Sequence, residues 1–196
     1  AFAEYRLMAH EIDEPSEEVD ALQRGNLIHQ ALDKFWQQVQ NSEALQDLMP
    51  AELESRLSDI VDKVIADQGW MELYPQQHVL LEKQRAMHQL TEFLAKEAKR
   101  DFFEVVEREC KIQFTLGQLV LNAVIDRIDR LQDGSLIVID YKSGFQDVKR
   151  CLDDRLLEPQ LPLYAISELQ QGRSIKGVCF ALVGAARYST LADKGN

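Results

Sequence analysis

Long apolar runs are missing from this chain of 196 residues. No stretch approaches the roughly 20 consecutive apolar residues that a bilayer span requires, so a membrane protein is not expected. Cysteine is scarce too: Cys110, Cys151 and Cys179 are the three present, far apart and odd in number. That excludes a disulfide framework and any zinc or cluster spacing, and leaves buried free thiols as the expected state. Positive charge is also in deficit, with 22 Lys and Arg against 33 Asp and Glu and a formal charge of −11. Such a chain does not hold nucleic acid by global attraction, so any phosphate-binding site must be local. No G-x-x-x-x-G-K-[ST] loop occurs, which argues against an ATP-driven motor within these residues. The opening Ala-Phe-Ala-Glu-Tyr-Arg shows no basic segment leading into an apolar one, so a cytoplasmic location is expected.

What is present is ordinary for a globular protein: 45% hydrophobic and 28% charged residues, enough to bury one core without staples. A single domain over 1–196 is expected, with no internal repeat or linker, and it reads as excised from a longer chain. Residues 1–100 are mainly helical. Leu22, Leu27, Ile28, Ala31, Leu32, Phe35 and Trp36 recur at helical spacing over Ala21–Gln40, and polar residues near Asn41 and Ser42 end the pattern. Pro50 starts a second helix through Leu53, Leu57, Ile60, Val61, Val64 and Ile65, closed by Gly69. A third spans about Gln76–Lys99, with Val79, Leu80, Met87, Leu90, Phe93 and Leu94 facing inward.

Beyond Arg100 the period shortens. Val105, Val106, Ile112, Phe114, Leu119, Leu121, Val124, Ile125 and Ile128 fall in strand-like stretches with Gly117 at a hairpin turn. Asp133-Gly134 turns the chain again into the apolar Leu136–Ile139 run of a buried strand, giving three consecutive antiparallel strands. Pro159–Gln171 reads as a helix ended by Gly172, and Lys176–Val183 as a last strand. The expected class is therefore α+β, with a helical N-terminal part and a sheet-containing part over 101–196.

The chemistry concentrates at two strand ends. In Ile137-Val-Ile-Asp140-Tyr141-Lys142-Ser143-Gly144 the two-residue period sends Asp140 and Lys142 to one face. A buried strand ending in an acid and a base is either an ion pair or part of a metal site, because isolated buried charge is costly. The neighbouring strand ends its apolar run in Asp126-Arg127-Ile128-Asp129-Arg130. In a tight hairpin Asp126 and Asp140 would not be direct partners, so a bulge, a twist or an ion must bring them together. The plainer alternative for Arg127, Asp129 and Arg130 is a surface ion-pair ladder, and for Asp129 it is the preferred reading. His29, on the first helix, is ordinarily a structural histidine; beside two carboxylates it completes a nitrogen–oxygen set for a divalent ion with open positions.

Five ordered segments carry a resemblance spanning nearly the whole chain: Phe2 to Leu7, Gly25-x-x-x-His29, Ile125-Asp-Arg-Ile-Asp129, Asp140-Tyr-Lys-Ser-Gly144 and Gln160-x-x-x-Tyr164. Together they resemble the RecB-like branch of the PD-(D/E)XK nucleases, which includes the AddAB-type repair enzymes. The resemblance implies a restriction-endonuclease-like αβββαβ core with a central mixed sheet. It implies a Mg²⁺- or Mn²⁺-dependent deoxyribonuclease of the exonuclease kind, acting on single strands or duplex ends in DNA repair and recombination beside a helicase domain or subunit. His29, Asp126, Asp140 and the main-chain carbonyl of Tyr141 would hold the metal, and Lys142 would position or activate the attacking water. Gln160 and Tyr164, one helical turn apart, would support the active strand and the DNA, or simply pack their helix. Glu107 is the preferred match for a glutamate on the first core strand; Glu109 shares its face. Ala123 stands where relatives commonly have glycine. Some relatives carry an iron–sulfur cluster on four flanking cysteines; the spacing here implies none. Two other readings explain less: a nuclease-fold module that binds DNA or scaffolds a helicase without cutting, and a purely helical interaction protein, which leaves the acidic strand ends unexplained.

Overall fold

Asp20 starts the first helix, α1 (Ala21–Val39), through a reciprocal cap: its carboxylate accepts from Gln23 N at 2.7 Å and the Gln23 side chain accepts from Asp20 N at 3.3 Å. Two of the unpaired N–H groups of the first turn are thereby satisfied. The buried stripe runs Leu27, Ile28, Ala31, Leu32, Phe35, Trp36, Val39. Leu22, read as part of that face, is instead 72% exposed, because at about 100° per residue it falls well off the centre of the stripe. Asn41 then caps a short helix that the polar sequence did not suggest, α2 (Ser42–Gln46). Pro50 opens α3 (Pro50–Asp67), and Gly69, at φ +67°, turns the chain into the one-turn α4 (Trp70–Leu73). Helix α5 (Gln76–Glu97) buries Val79, Glu82, Ala86, Leu90, Phe93, Leu94 and Glu97. Leu80 was expected inside but is 52% exposed; it sits about 100° around the helix from Val79.

The computed structural model describes residues 18–116, 119–143 and 174–190, without the side chains of residues 114–116, 119–121 and 190. Phe2 to Leu7, the Gly117 turn, Gly144, Cys151, the expected Pro159–Gln171 helix with Gln160 and Tyr164, and Gly172 lie outside them. Among the described residues no helix is long and apolar enough to cross a membrane.

Five strands form one mixed sheet in the order β1 (Phe103–Leu116), β2 (Leu119–Leu131), β3 (Leu136–Lys142), β4 (Ile175–Leu182), β5 (Arg187–Thr190). The first three pair antiparallel, β4 runs parallel to β3, and β5 returns antiparallel to β4. This is the helical part followed by a mixed-sheet core that the sequence pattern led us to expect. Strand β5 was not anticipated: Arg-Tyr-Ser-Thr has no apolar run, and only its pairing with β4 makes it a strand.

The sheet separates two apolar clusters. On one face Phe103, Ile139, Tyr141, Cys179, Ala181 and Val183 pack with the buried stripes of α1, α3 and α5. On the other, Ile112, Ile125, Ile128, Val138, Val178, Phe180 and Leu182 pack together. Adjacent residues such as Val138 and Ile139 thus serve opposite faces, which is why the central strands read as unbroken apolar runs. The helical layer is tied to the sheet by backbone as well: Phe103 N donates to Ser42 Oγ at 3.1 Å and Val105 N to Gln40 O at 2.7 Å.

Candidate metal centre

The hairpin between β2 and β3 sets the register on which the site depends. Leu131 N donates to Ser135 O at 2.8 Å, and Gly134 takes φ +82°. The loop is therefore one residue longer than the tight two-residue hairpin, and its left-handed position is glycine. The added residue shifts the pairing so that Arg127 faces Ile139. Continued one step past that last pair, the same register brings Asp126 and Asp140 into line, where a two-residue loop would place them out of step. Asp126 Oδ2 accepts from Tyr141 N at 2.6 Å, a buried bond that fastens it to the end of β3.

Strand β1 contributes from the other side. The register from Leu116 opposite Leu119 through Cys110 opposite Ile125 places Glu109 across from Asp126. Glu109 takes φ +45°, a conformation non-glycine residues seldom adopt and one that recurs where side chains are re-aimed at functional sites. Alternation is also interrupted in β2, since Ile125 and Ile128, three apart, join the same apolar cluster. Side-chain ligand atoms of His29, Glu109 and Asp126 all lie within 4.8 Å of one another. Glu107, the glutamate preferred from sequence, faces Ile128 and is outside this group. Counting the pairing from the Gly117 turn, instead of matching the strand alone, would have selected Glu109.

His29 Nδ1 lies 3.4 Å from Asp126 Oδ1. Asp140 does not join the three-residue group; its Oδ2 lies 2.7 Å from Lys142 Nζ. Lys142 Nζ is thus the cation that meets this buried oxygen. Burial, then the charge of Asp126, pushes the Asp140 carboxyl up to about 6 against the counter-pull of Lys142. Burial and Asp126 likewise raise Glu109. For His29, burial pulls the imidazole pKa down, but hydrogen bonding and charge from Asp126, with Asp140 behind it, prevail and raise it. These directions have one cause: among the described residues, three carboxylates crowd a partly buried site that one lysine enters.

Helix α1 reaches the strand ends at Gly25. A Cβ there would lie 3.6 Å from Ser143 Oγ, so the helix runs against the residue that follows Lys142, and His29 follows one turn later. On the far side Gly184, in the 3₁₀ turn Val183–Ala185 after β4, packs so tightly that a Cβ would meet Ser143 O at 2.7 Å. Outside the carboxylates a cleft of about 290 Å³ is lined by Asn26, His29, Gln30, Asp33 and Glu109. Asp33 is already taken by Arg108, which ties α1 to β1.

Arg127 and Asp129 are not the surface ladder expected of them. Both are fully buried, with Arg127 donating to Asp129 at 2.5 and 2.7 Å and to Glu97 at 2.7 Å. Arg100 completes the set through Glu97 at 3.0 Å and Asp129 at 2.9 Å. Two guanidinium groups and two carboxylates balance, which is how charge is tolerated in a core. Arg130 does remain outside, paired with Glu104 at 3.0 Å.

With this geometry established, comparison with known proteins gives a consistent result. The family model of the PD-(D/E)XK nuclease superfamily matches residues 1–194. Among similar proteins are subunits B of ATP-dependent helicase/deoxyribonucleases. That of Streptococcus agalactiae is 31% identical over 137 residues, 65% of this chain and 12% of the relative. That of Streptococcus pyogenes is 37% identical over 62 residues, 31% of this chain and 6% of the relative, and that of Streptococcus equi subsp. zooepidemicus 32% identical over 87 residues, 44% and 8%. The chain thus corresponds to a small part of each relative. A strand-end group of histidine and carboxylates on a mixed sheet, with the family match running nearly end to end, leads to one conclusion: this chain belongs to the PD-(D/E)XK nuclease superfamily.

Proposed function

We propose that this chain is the nuclease domain of a longer protein and hydrolyses DNA phosphodiester bonds with Mg²⁺ or Mn²⁺, as an exonuclease working with a helicase in repair and recombination. One observation carries the reading: His29, Glu109 and Asp126 converge beside Asp140 and Lys142. Among the described residues, three carboxylates against one ammonium group leave a deficit of about two positive charges, which a divalent cation matches. The donors are one imidazole nitrogen and carboxylate oxygens, a set suited to Mg²⁺ or Mn²⁺ with positions left for water and phosphate. Asp140, close enough to Asp126 for their charges to interact, adds a further carboxylate to the set.

When bound, the ion would polarise the phosphate and lower the pKa of a coordinated water. The chain's own groups do the rest. Asp126 is held by Tyr141 N so that its other oxygen faces His29. His29, Asp126, Asp140 and the Tyr141 carbonyl are the proposed ligands, and Glu109 joins them in place of Glu107. Lys142, ion-paired to Asp140 and 22% exposed, supplies positive charge where the pentavalent phosphate develops negative charge. The cleft beside His29 provides neutral amides, Asn26 and Gln30, in an otherwise acidic neighbourhood. Gln160 and Tyr164 belong to the same proposal as supports for the strand and the DNA.

The test is incubation of the chain with linear single-stranded DNA and Mg²⁺ or Mn²⁺. Expected are metal-dependent release of nucleotides and a loss of about a hundredfold or more in Asp140→Ala. Cleavage that survives the substitution refutes the assigned site. Mn²⁺ binding without any cleavage would instead point to a non-cutting module.

A further inference from the structure

Tyr141 lies between the two charged residues of β3, and the strand period sends its side chain the opposite way, into the buried network. Its hydroxyl accepts from Arg127 Nη1 at 3.3 Å. The same guanidinium stacks over Trp36 at 4.1 Å and grips Asp129 with two parallel bonds, so it cannot shift without breaking several contacts. The Tyr141 ring meets the His29 ring edge-on, centroids 5.8 Å apart, and the Phe93 ring at 6.1 Å. Its backbone N–H donates to Asp126 Oδ2. One residue therefore touches Asp126 through its amide, His29 through its ring and the rigid core through its phenol, while flanked by Asp140 and Lys142.

The charge balance of the network does not require this hydroxyl. Arg127 and Arg100 already face Glu97 and Asp129, and Tyr188 donates its own hydroxyl to Glu97. Burial raises the Tyr141 phenol pKa, with Arg127 pulling the other way, so it remains a neutral hydroxyl. What the hydroxyl adds is a fixed anchor for rotation of β3 about its own axis, the motion that would swing Asp140 and Lys142 off target. We propose that Tyr141 is a positioning residue whose phenol, latched to Arg127, holds the 140–142 strand end in register with His29 and Asp126. This rests on the proposed metal site only for what the positioning achieves; the latch itself is independent of metal.

The experiment compares Tyr141→Phe with Tyr188→Phe in the whole chain. Both remove one hydroxyl from the same network and keep the ring, so both should lower the melting temperature to a similar extent. Two readouts separate them. Hydrogen exchange at the residue-141 amide, measured without metal, should accelerate about fivefold in Tyr141→Phe, one hydrogen bond's worth, and stay at the wild-type rate in Tyr188→Phe. Mn²⁺ affinity by calorimetry should fall about fivefold or more in Tyr141→Phe alone, since ligand placement sets it. Unchanged amide exchange in Tyr141→Phe, or equal acceleration in both variants, overturns the proposal and leaves Tyr141 an ordinary core residue. If the wild type binds no Mn²⁺, the metal reading fails, while the exchange result still decides the latch.

Discussion

Replacing Asp140 with Asn should stabilise the metal-free protein while abolishing its chemistry. The carboxyl is 3% exposed, and burial beside Asp126 raises it from 3.8 to about 6. A group whose folded pKa lies above its unfolded one binds protons more tightly when folded. Its ionisation therefore costs stability as pH rises from 3.8 through about 6, and the full cost, about 3 kcal/mol, is reached near neutrality. Asparagine has nearly the same shape and no charge. The pull of Lys142 is already contained in the raised pKa, so the net gain should be about 2 to 3 kcal/mol at pH 7.5. Urea unfolding in EDTA at a series of pH values measures this. The two proteins should be equally stable near pH 3.5 and diverge up to about pH 7. With saturating Mn²⁺ the order should narrow or reverse, because a ligand that binds only the folded wild type stabilises it. An Asp140→Asn variant no more stable than wild type in EDTA at pH 7.5, or a gain that does not vary with pH, would refute the reasoning.

Glu109→Gln should weaken Mn²⁺ binding by about tenfold or more, whereas Glu107→Gln should leave it within about twofold; titration calorimetry distinguishes the two glutamates. Gly184→Ala should cost about 1 to 3 kcal/mol of unfolding free energy, because its Cβ would collide with a backbone oxygen at 2.7 Å and one of the two backbone segments must shift. Gly25→Ala, with its nearest neighbour a side chain at 3.6 Å, should change stability by less than about 1 kcal/mol, the helix preference for alanine working in its favour. Arg127→Met should destabilise by about 3 to 5 kcal/mol, since Glu97 and Asp129 would be left buried with Arg100 as their remaining cation. Differential scanning of the three variants reads these losses directly.

Much of the molecule was legible before any coordinates. The stripes of α1, α3 and α5 follow from apolar spacing, and the near-continuous Leu136–Ile139 run fits a strand buried on both faces. Short elements were not legible: α2, α4 and β5 carry too few residues for a period to emerge, and α2 has a capping side chain and β5 a pairing partner. Leu22 and Leu80 show the same limit from the other side, because an apolar residue near a helix start can match the composition of a stripe and miss its direction.

The residue types of the site, an imidazole, acids and a lysine at strand ends, are properties of the chain order alone, since strand period and family spacing require no third dimension. Which acid faces which was settled in space. A three-residue loop with Gly134 left-handed set a register that brings Asp126 into line with Asp140, and the β1–β2 register brought Glu109, not Glu107, to Asp126. Arg127 and Asp129 went inward for a comparable reason: their charges are tolerable only because Glu97 and Arg100, from a helix end nearly thirty residues earlier, meet them there. Pairing register can be counted across a hairpin only where the loop length is known, and no local pattern encodes a charge compensation whose other half lies elsewhere in the chain.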